Sequence, residues 1–143
     1  MSNTQHIDDF LTMYNKLDRS NLSLLANIYH QDVVFIDPLH RIDGLSALTK
    51  YFSNLYENLD AGRFEMKKVL QQDNAVSLYW TMYFSHSKIK AGKEVSFDGN
   101  SYLEYQDGKV IFHRDYFNAA DMLYQHIPVL GGLINLVKKR ATA

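Results

Sequence analysis

The stretch DGKVIFHRDYFN, residues 107–118, contains the side chains with the clearest capacity for chemistry. Its other residues have the bulk and branching typical of a β-strand, so His113, Arg114 and Asp115 in succession need an explanation. Because side chains alternate between the two faces of a strand, His113 and Asp115 share one face with Phe117. A buried carboxylate needs a partner or a raised pKa, and either condition can produce a general acid or base. Asp115 is therefore a catalytic candidate; alternatively, it accepts hydrogen bonds from nearby tyrosines or a histidine and stabilises the core.

The remaining motifs favour chemistry without a metal ion or a cofactor. The six histidines show neither HxH nor HxxxH spacing, and no carboxylate cluster has the pattern of a metal site. The chain contains no cysteine, which excludes a cysteine nucleophile and a disulfide. It also lacks a glycine-rich phosphate loop and a GxSxG nucleophile motif. We therefore expect a site with no metal and no cofactor.

Length and charge restrict the class of protein. A chain of 143 residues suits one domain, and its formal charge of −1 lacks the basic surplus of a nucleic-acid binder. No apolar run approaches the ~20 residues that span a bilayer, and the N-terminus lacks the basic-then-apolar pattern of a signal peptide. These features predict a cytoplasmic protein that does not bind nucleic acid. The aromatic content of 13% suits a wide, partly polar interior or simply a strand-rich protein.

The spacing of apolar residues predicts helices first and strands later. An apolar stripe of helical period runs from Ile7 to Leu17 and includes Tyr14. Start signals at Asn21 and Asp43, the latter a candidate N-cap, predict two further helices. After residue 62 the period is that of strands joined by short turns at QQDN, KAGK and DG, which favours an antiparallel meander. This order predicts an α+β fold in which three N-terminal helices pack on a strongly curved antiparallel sheet.

We expect one domain over residues 1–126 and a helical tail over residues 127–143. The tail has apolar residues on one helical face and the basic triplet KKR near its end. It is expected to dock on the sheet; the alternative is a surface helix that contacts an anionic membrane or a partner.

Three helices, a meander, an aspartate before proline and DGKVIFHRDYF near the end together resemble the nuclear transport factor 2-like superfamily. This superfamily includes ketosteroid isomerases, SnoaL-like polyketide cyclases and limonene epoxide hydrolases. The resemblance covers about residues 5–120. It implies a cone-shaped fold with an internal pocket between helices and sheet, and a homodimer formed through the outer face of the sheet. Because one fold supports many functions, the resemblance does not by itself fix the reaction.

The resemblance implies roles for three catalytic candidates. HRDYFN resembles the last strand of the epoxide hydrolases, whose aspartate faces the pocket, so Asp115 is expected to face it with His113 and Phe117. VVFIDP resembles the ketosteroid isomerase segment whose aspartate moves a proton between carbon atoms, which implies that role for Asp37. Tyr14 lies close to the position of that family's oxyanion-binding tyrosine, and the alternative is a core tyrosine. A carboxylate base and a phenol donor facing one apolar cavity are the groups that enolisation requires.

The sequence departs from both enzyme families at other positions. The second oxyanion donor of the isomerases, a protonated aspartate, falls near Asn100 or Ser101, and Asn100 can still donate a hydrogen bond. Trp80 and Met82 replace the Arg-x-Asp pair with which the epoxide hydrolases position water, so we expect no epoxide hydrolysis. These two side chains would instead form an apolar pocket wall, or merely packed core. His40 is expected at the pocket mouth, with a simple exposed loop histidine as the alternative.

The pocket is expected to bind a small apolar molecule. Asp37 or Asp115 would be the base and Tyr14 the donor in a cofactor-free isomerase, cyclase or lyase reaction that proceeds by acid–base proton transfer. The alternative is a non-catalytic module of the same fold that binds a small ligand or a protein partner. The predicted ligand-binding residues are Phe35, Trp80, Met82, Asn100, His113 and Phe117.

Overall fold

The helices lie before the four longest strands, in the order that the apolar spacing predicts. The structure, a computed structural model, describes residues 3–57, 59–86, 93–118 and 139–141. The helical elements before the long strands are α1 (Asn3–Lys16), a 3₁₀ turn (Leu22–Leu24), α2 (Leu25–Ile28) and α3 (Leu45–Tyr56). The strands are β1 (Tyr29–Ile36), β2 (Arg41–Asp43), β3 (Leu59–Gln72), β4 (Ala75–His86), β5 (Val95–Gln106) and β6 (Lys109–Phe117).

The six strands form one sheet in the order β2-β1-β6-β5-β4-β3. Strands β3 to β6 pair antiparallel in sequence order, as the short predicted turns require, whereas β1 pairs with β6 in parallel. The sheet is therefore mixed, because no hairpin joins β1 to β6 and their relative direction is free of that constraint. Helix α1 packs on β3, and α3 packs on β1 and β3. The predicted α+β fold, with helices packed on a curled sheet, is confirmed, although the sheet is mixed where a wholly antiparallel one was predicted.

Residues with a left-handed backbone form the turns. Asp107 and Gly108, with φ of 54° and 79°, join β5 to β6, and Asp73, with φ of 56°, lies between β3 and β4. The predicted turns at DG and QQDN are confirmed, and the predicted turn at KAGK lies mostly outside the described residues. The predicted N-cap Asp43 is wrong, because this residue ends β2 and Gly44 precedes α3. A φ of 91° at Gly44 makes the sharp change of direction, which a side chain would oppose.

A β-bulge in β6 determines which side chains of this strand face the core. The register between β5 and β6 shifts within β6 and leaves Ile111 as an extra residue. Val110 is consequently fully buried, while Ile111 is only half-buried. Strict alternation would have placed Ile111 on the buried face. Beyond the bulge the alternation holds, and His113, Asp115 and Phe117 lie together on the inner face.

Trp80 on β4 lies directly over Gly99 on β5. The two residues are register partners, and a Cβ atom at position 99 would lie 2.3 Å from the indole Cη2. Trp80 is 5% exposed, and its Nε1 donates a hydrogen bond to Ser101 Oγ at 2.9 Å. The ring is therefore held from two sides, and the close approach requires glycine.

Gly99→Ala is expected to lower the free energy of unfolding by about 1–3 kcal/mol, because the indole or the strand must shift to admit a methyl group. Urea unfolding followed by the fluorescence of Trp80 would measure the change. Gly62→Ala is the matched control, since its Cβ would meet Met82 Cε at 3.5 Å, an ordinary contact. Equal unfolding free energies for the two variants would contradict this account of the packing.

The predicted domain boundary at residue 126 and most of the predicted tail lie outside the described residues. Residues 139–141 are described and form an exposed helical turn. Across the ranges that the structure covers, no helix combines the length and the apolar character needed to cross a membrane.

Candidate active site

A cavity of about 620 Å³ lies between the inner face of the sheet and the helices. This volume falls within the range of pockets that bind small organic ligands. Most of its lining is aromatic or aliphatic, including Phe10, Phe35, Phe52, Trp80, Met82 and Phe117. The polar side chains that line it are Tyr14, Asp37, His40, Tyr51, Asn54, Tyr56, Ser101, His113 and Asp115.

Asn100 is the one predicted site residue that the structure does not bring to this cavity. It lies on the outer face of the sheet, where its Nδ2 donates to Ser77 Oγ at 2.7 Å and to the Leu78 carbonyl at 3.1 Å. Ser101 occupies the inner position instead and is the register partner of Asp115. A difference of one residue moves a side chain to the opposite face of a strand, which is why the two neighbouring candidates have opposite surroundings.

Asp115 is the centre of a hydrogen-bond network on the inner face of β6. Its Oδ1 accepts hydrogen bonds from Ser101 Oγ at 2.5 Å and from His113 Nε2 at 2.6 Å. Ser101 Oγ in turn accepts a hydrogen bond from Trp80 Nε1. Within the described residues, Oδ2 has no hydrogen-bond partner. One carboxylate oxygen is therefore fixed by the protein, while the other remains available to the cavity.

His113 connects Asp115 to two tyrosines. Its Nδ1 lies 2.7 Å from the hydroxyl of Tyr29, and that hydroxyl forms a short hydrogen bond with the hydroxyl of Tyr14. Tyr29 is 0% exposed and does not line the cavity, whereas Tyr14 and the 2% exposed His113 both line it. We call Asp115, His113, Tyr29 and Tyr14 the relay chain. It begins and ends at the cavity wall and passes through the core at Tyr29.

Both phenols of the relay chain stay protonated at physiological pH. Burial raises the pKa of Tyr14 and of Tyr29 well above that of an exposed tyrosine, and the charge of Asp115 contributes to both increases. Burial also raises the pKa of Tyr56, another lining residue, to about 12. Tyr14 is therefore suited to donating a hydrogen bond and unsuited to acting as a base.

Asp37 lies at the mouth of the cavity in a different environment. Its Oδ1 accepts hydrogen bonds from the backbone N–H groups of Leu39 at 2.8 Å and His40 at 2.7 Å. Its Oδ2 accepts one from the Tyr51 hydroxyl at 2.8 Å, and His40 Nδ1 lies 3.1 and 3.3 Å from the two oxygens. Burial and the bond to Asp37 raise the pKa of Tyr51, so its hydroxyl remains a donor. Because both oxygens have donors, this carboxylate holds the turn rather than offering a free base.

The sequence around Asp37 explains this turn. Strand β1 ends at Ile36, and Pro38 removes one backbone N–H and fixes its own φ. The backbone N–H of Asp37 donates to the His40 carbonyl at 3.0 Å, while its side chain accepts from the following backbone, as in an Asx-turn. His40 is thereby brought to the cavity mouth, where its side chain is 48% exposed.

Sequence reasoning missed two polar residues of this region, Tyr29 and Tyr51, and it preferred Asn100 to its neighbour Ser101. Tyr51 lies three residues after Leu48 and four before Leu55, so the apolar stripe of α3 is a signal that includes it. Tyr29 lies four residues before Val33 and six before Phe35, an even spacing that would place the three on one face of β1, but a register irregularity interrupts the strand between them. Among the described residues, no group of three or more metal-ligating side chains is arranged to hold a metal ion.

Comparison with known proteins gives a family match over most of the chain. A family model described as SnoaL-like domain matches residues 10–113. A search of curated proteins found no significant match.

Several solved structures share the fold. An NTF2-like protein of unknown function from Burkholderia pseudomallei has a TM-score of 0.76 at 13% identity, covering 89% of this chain and 99% of its own. A candidate SnoaL-like polyketide cyclase from Jannaschia sp. CCS1 has a TM-score of 0.74 at 13% identity, covering 89% and 95%. An LEH-like epoxide hydrolase from M. tuberculosis has a TM-score of 0.68 at 20% identity, covering 94% of each chain. At these identities the likeness shows the fold alone.

Proposed function

Because this chain belongs to the SnoaL-like domain family, we propose that it catalyses proton transfer on a small, largely apolar carbonyl compound bound in the cavity. The family agrees with the resemblance to the nuclear transport factor 2-like superfamily that the sequence shows. The reaction is of the isomerase, cyclase or lyase type. One observation carries the proposal: an oxygen of Asp115 without a partner among the described residues, at the wall of a cavity whose lining is mainly apolar.

Asp115 is the base in this proposal. Its Oδ1 is fixed by Ser101 and His113, which orients the carboxylate and leaves Oδ2 to take a proton. Asp37 has donors on both oxygens and would have to break a hydrogen bond first. The apolar surroundings favour the reaction, because a carboxylate that sheds its charge by accepting a proton is less penalised by burial.

Tyr14 is the donor to the substrate oxygen. When Oδ2 of Asp115 removes a proton from the carbon next to the carbonyl, the electron pair of that C–H bond moves into a carbon–carbon double bond and negative charge develops on oxygen. A neutral phenol at the cavity wall stabilises that charge by donating a hydrogen bond. The raised pKa of Tyr14 keeps its hydroxyl protonated until the substrate oxygen develops that charge.

A non-catalytic binding module is the second candidate. Two observations favour it: the hydrogen bonds that occupy both oxygens of Asp37, and the apolar side chains Trp80 and Met82 at the cavity wall. A protein that only carries an apolar ligand needs no free base.

Native mass spectrometry and an enolisation assay together test the proposal. Freshly purified protein is examined for a co-purifying small molecule, and the exchange of the α-protons of 2-tetralone in D₂O is followed by NMR with and without the protein. We expect exchange well above the buffer rate. A bound ligand or bound 2-tetralone without accelerated exchange would favour the binding module, and would contradict catalysis of α-proton transfer.

We also propose a homodimer formed through the outer face of the sheet. Tyr79 and Tyr116 are 43% and 50% exposed and lie in one row across neighbouring strands, on either side of Asn100. Exposed aromatic rows of this kind are typical of interaction surfaces.

The double change Tyr79→Glu and Tyr116→Glu is expected to convert a dimer into a monomer, because it introduces like charges into the contact. Light scattering coupled to size-exclusion chromatography would measure the mass. Thr12→Glu, on the exposed side of α1, is the control and should leave the mass at two chains. A wild-type protein with the mass of one chain at every concentration would contradict the dimer.

A further inference from the structure

We propose that the protonation state of His113 sets the direction of every hydrogen bond in the relay chain, and thereby decides whether Tyr14 donates to or accepts from a ligand in the cavity. The inference deepens the function proposed above, in which Tyr14 is the donor. It gives His113 and Tyr29 the role of positioning residues, which act on the ligand through Tyr14.

With a neutral His113 the hydrogen bonds run in one direction. A carboxylate only accepts, so His113 Nε2, 2.6 Å from Asp115 Oδ1, must carry the hydrogen. A neutral imidazole then has no hydrogen on Nδ1, and Tyr29 donates to that nitrogen. The oxygen of Tyr29 therefore accepts from Tyr14. Tyr14 has only one hydroxyl hydrogen, so in this state it offers the cavity nothing but lone pairs.

When His113 is protonated, the hydrogen bonds from His113 Nδ1 through Tyr29 to Tyr14 reverse their direction. Nε2 still donates to Asp115, but Nδ1 now carries a hydrogen and donates to Tyr29. The hydroxyl hydrogen of Tyr29 turns to the oxygen of Tyr14. The hydroxyl hydrogen of Tyr14 is thereby released to point into the cavity. One proton at His113 converts this part of the cavity wall from an acceptor into a donor.

Burial prevents the relay chain from combining hydrogen-bond directions of the two states. Tyr29 is 0% and His113 2% exposed, so water cannot supply substitute partners. The titratable groups that face His113 are Asp115 on its own strand, Tyr29 on β1 and Tyr14 on α1. Ser101 on β5 is polar but does not titrate, and Asp115 also acts on the more distant Tyr51 of α3. The other rings packed on His113 are apolar, namely Phe10 and Phe35.

The two states select different ligands. A carbonyl or enolate oxygen is an acceptor and is matched only by the protonated state, in which the imidazolium is paired with the Asp115 carboxylate. A ligand hydroxyl that donates is matched by the neutral state. The site therefore discriminates between a ketone and the corresponding alcohol through the direction in which the Tyr14 hydroxyl donates.

The protonated state also balances the proton transfer. The substrate C–H proton moves to Asp115 Oδ2, and its electron pair forms the carbon–carbon double bond. The hydroxyl hydrogen of Tyr14 moves to the carbonyl oxygen. The hydroxyl hydrogen of Tyr29 moves to Tyr14, and the Nδ1 hydrogen of His113 moves to Tyr29. The products are an enol, a neutral His113 and a protonated Asp115. Reversal at another carbon restores the starting state.

NMR of the ligand-free protein, labelled with ¹⁵N in histidine and ¹³Cζ in tyrosine, tests the inference. His113 is titrated between about pH 5 and 8, the range in which histidine normally changes charge. We expect the neutral ring to be protonated on Nε2, and the Cζ resonances of Tyr14 and Tyr29 to shift with the same midpoint as the His113 nitrogens. Tyr29→Phe should abolish the response of Tyr14, whereas Tyr102→Phe, on the outer face, should leave it unchanged.

Three results would overturn the inference: a neutral His113 protonated on Nδ1, a His113 that keeps one protonation state throughout the titration, or a Tyr14 Cζ resonance that does not shift when His113 changes charge. The wild-type titration decides between these results even if Tyr29→Phe does not fold. Because no ligand or turnover enters the measurement, its outcome is separate from that of the 2-tetralone assay. If the Tyr14 resonance shifts with His113 but the exchange of 2-tetralone is not accelerated, only the proposed function is contradicted.

Discussion

Asp115→Asn is expected to reduce the accelerated exchange of 2-tetralone α-protons by about 10²–10⁴-fold, the contribution typical of a general base. The substitution removes the base and keeps the hydrogen bonds of the other carboxylate oxygen. The Oδ1 atom of asparagine can still accept from Ser101 and His113, and its amide replaces only the oxygen that has no partner within the described residues. We therefore expect a folded protein with an intact cavity and no group able to take the proton.

The control for this experiment is Asp98→Asn. Asp98 also accepts a short hydrogen bond from a neighbouring strand, from Thr81 Oγ1 at 2.6 Å, but it lies away from the cavity. The Asp98→Asn variant should exchange the α-protons of 2-tetralone at the rate of the wild-type protein. Wild-type exchange in Asp115→Asn, with the fold verified by circular dichroism, would show that another group is the base.

Asp37→Ala is expected to lower the free energy of unfolding by about 3 kcal/mol, since a buried carboxylate that loses its role as acceptor leaves several donors unsatisfied. The Asp37 side chain is 5% exposed and accepts from two backbone N–H groups and from Tyr51. Its removal also frees His40 from the turn at the cavity mouth. Urea unfolding would measure the loss.

Asp43→Ala is the matched control for that measurement. The Asp43 side chain is 65% exposed and pairs only with the exposed Arg41 among its described neighbours. Exposed ion pairs contribute about 0–1 kcal/mol, so the control should unfold near the wild-type midpoint. A loss at position 37 no larger than at position 43 would contradict the structural role of Asp37.

The sequence was sufficient for the fold because two independent signals agreed. Helical spacing in the first part of the chain and short turns in the second predicted the layers, and the motif around Asp115 pointed to one superfamily. The parallel pairing of β1 with β6 could not be predicted from the sequence, since it joins segments that no turn connects. The bulge at Ile111 was equally hidden, because an extra residue in a strand leaves no local mark in composition.

The candidate site could be predicted only as a set of residue types. Asn100 and Ser101 were both possible by alignment, and a shift of one position in a strand reverses the face. Sequence also gave no means of choosing between Asp37 and Asp115. That choice depends on which donors reach each carboxylate, and Tyr51 and His113 arrive through tertiary packing. Tyr29 lies 84 residues from His113 in sequence, so their contact has no local signal.

The parallel pairing of β1 with β6 also has a consequence for biosynthesis. Tyr29 is synthesised 84 residues before His113, so a nascent chain that still lacks β6 has no finished binding surface at this cavity. A ligand that binds as proposed would therefore stabilise only a chain in which both strands have formed, by an amount that grows with ligand concentration through mass action.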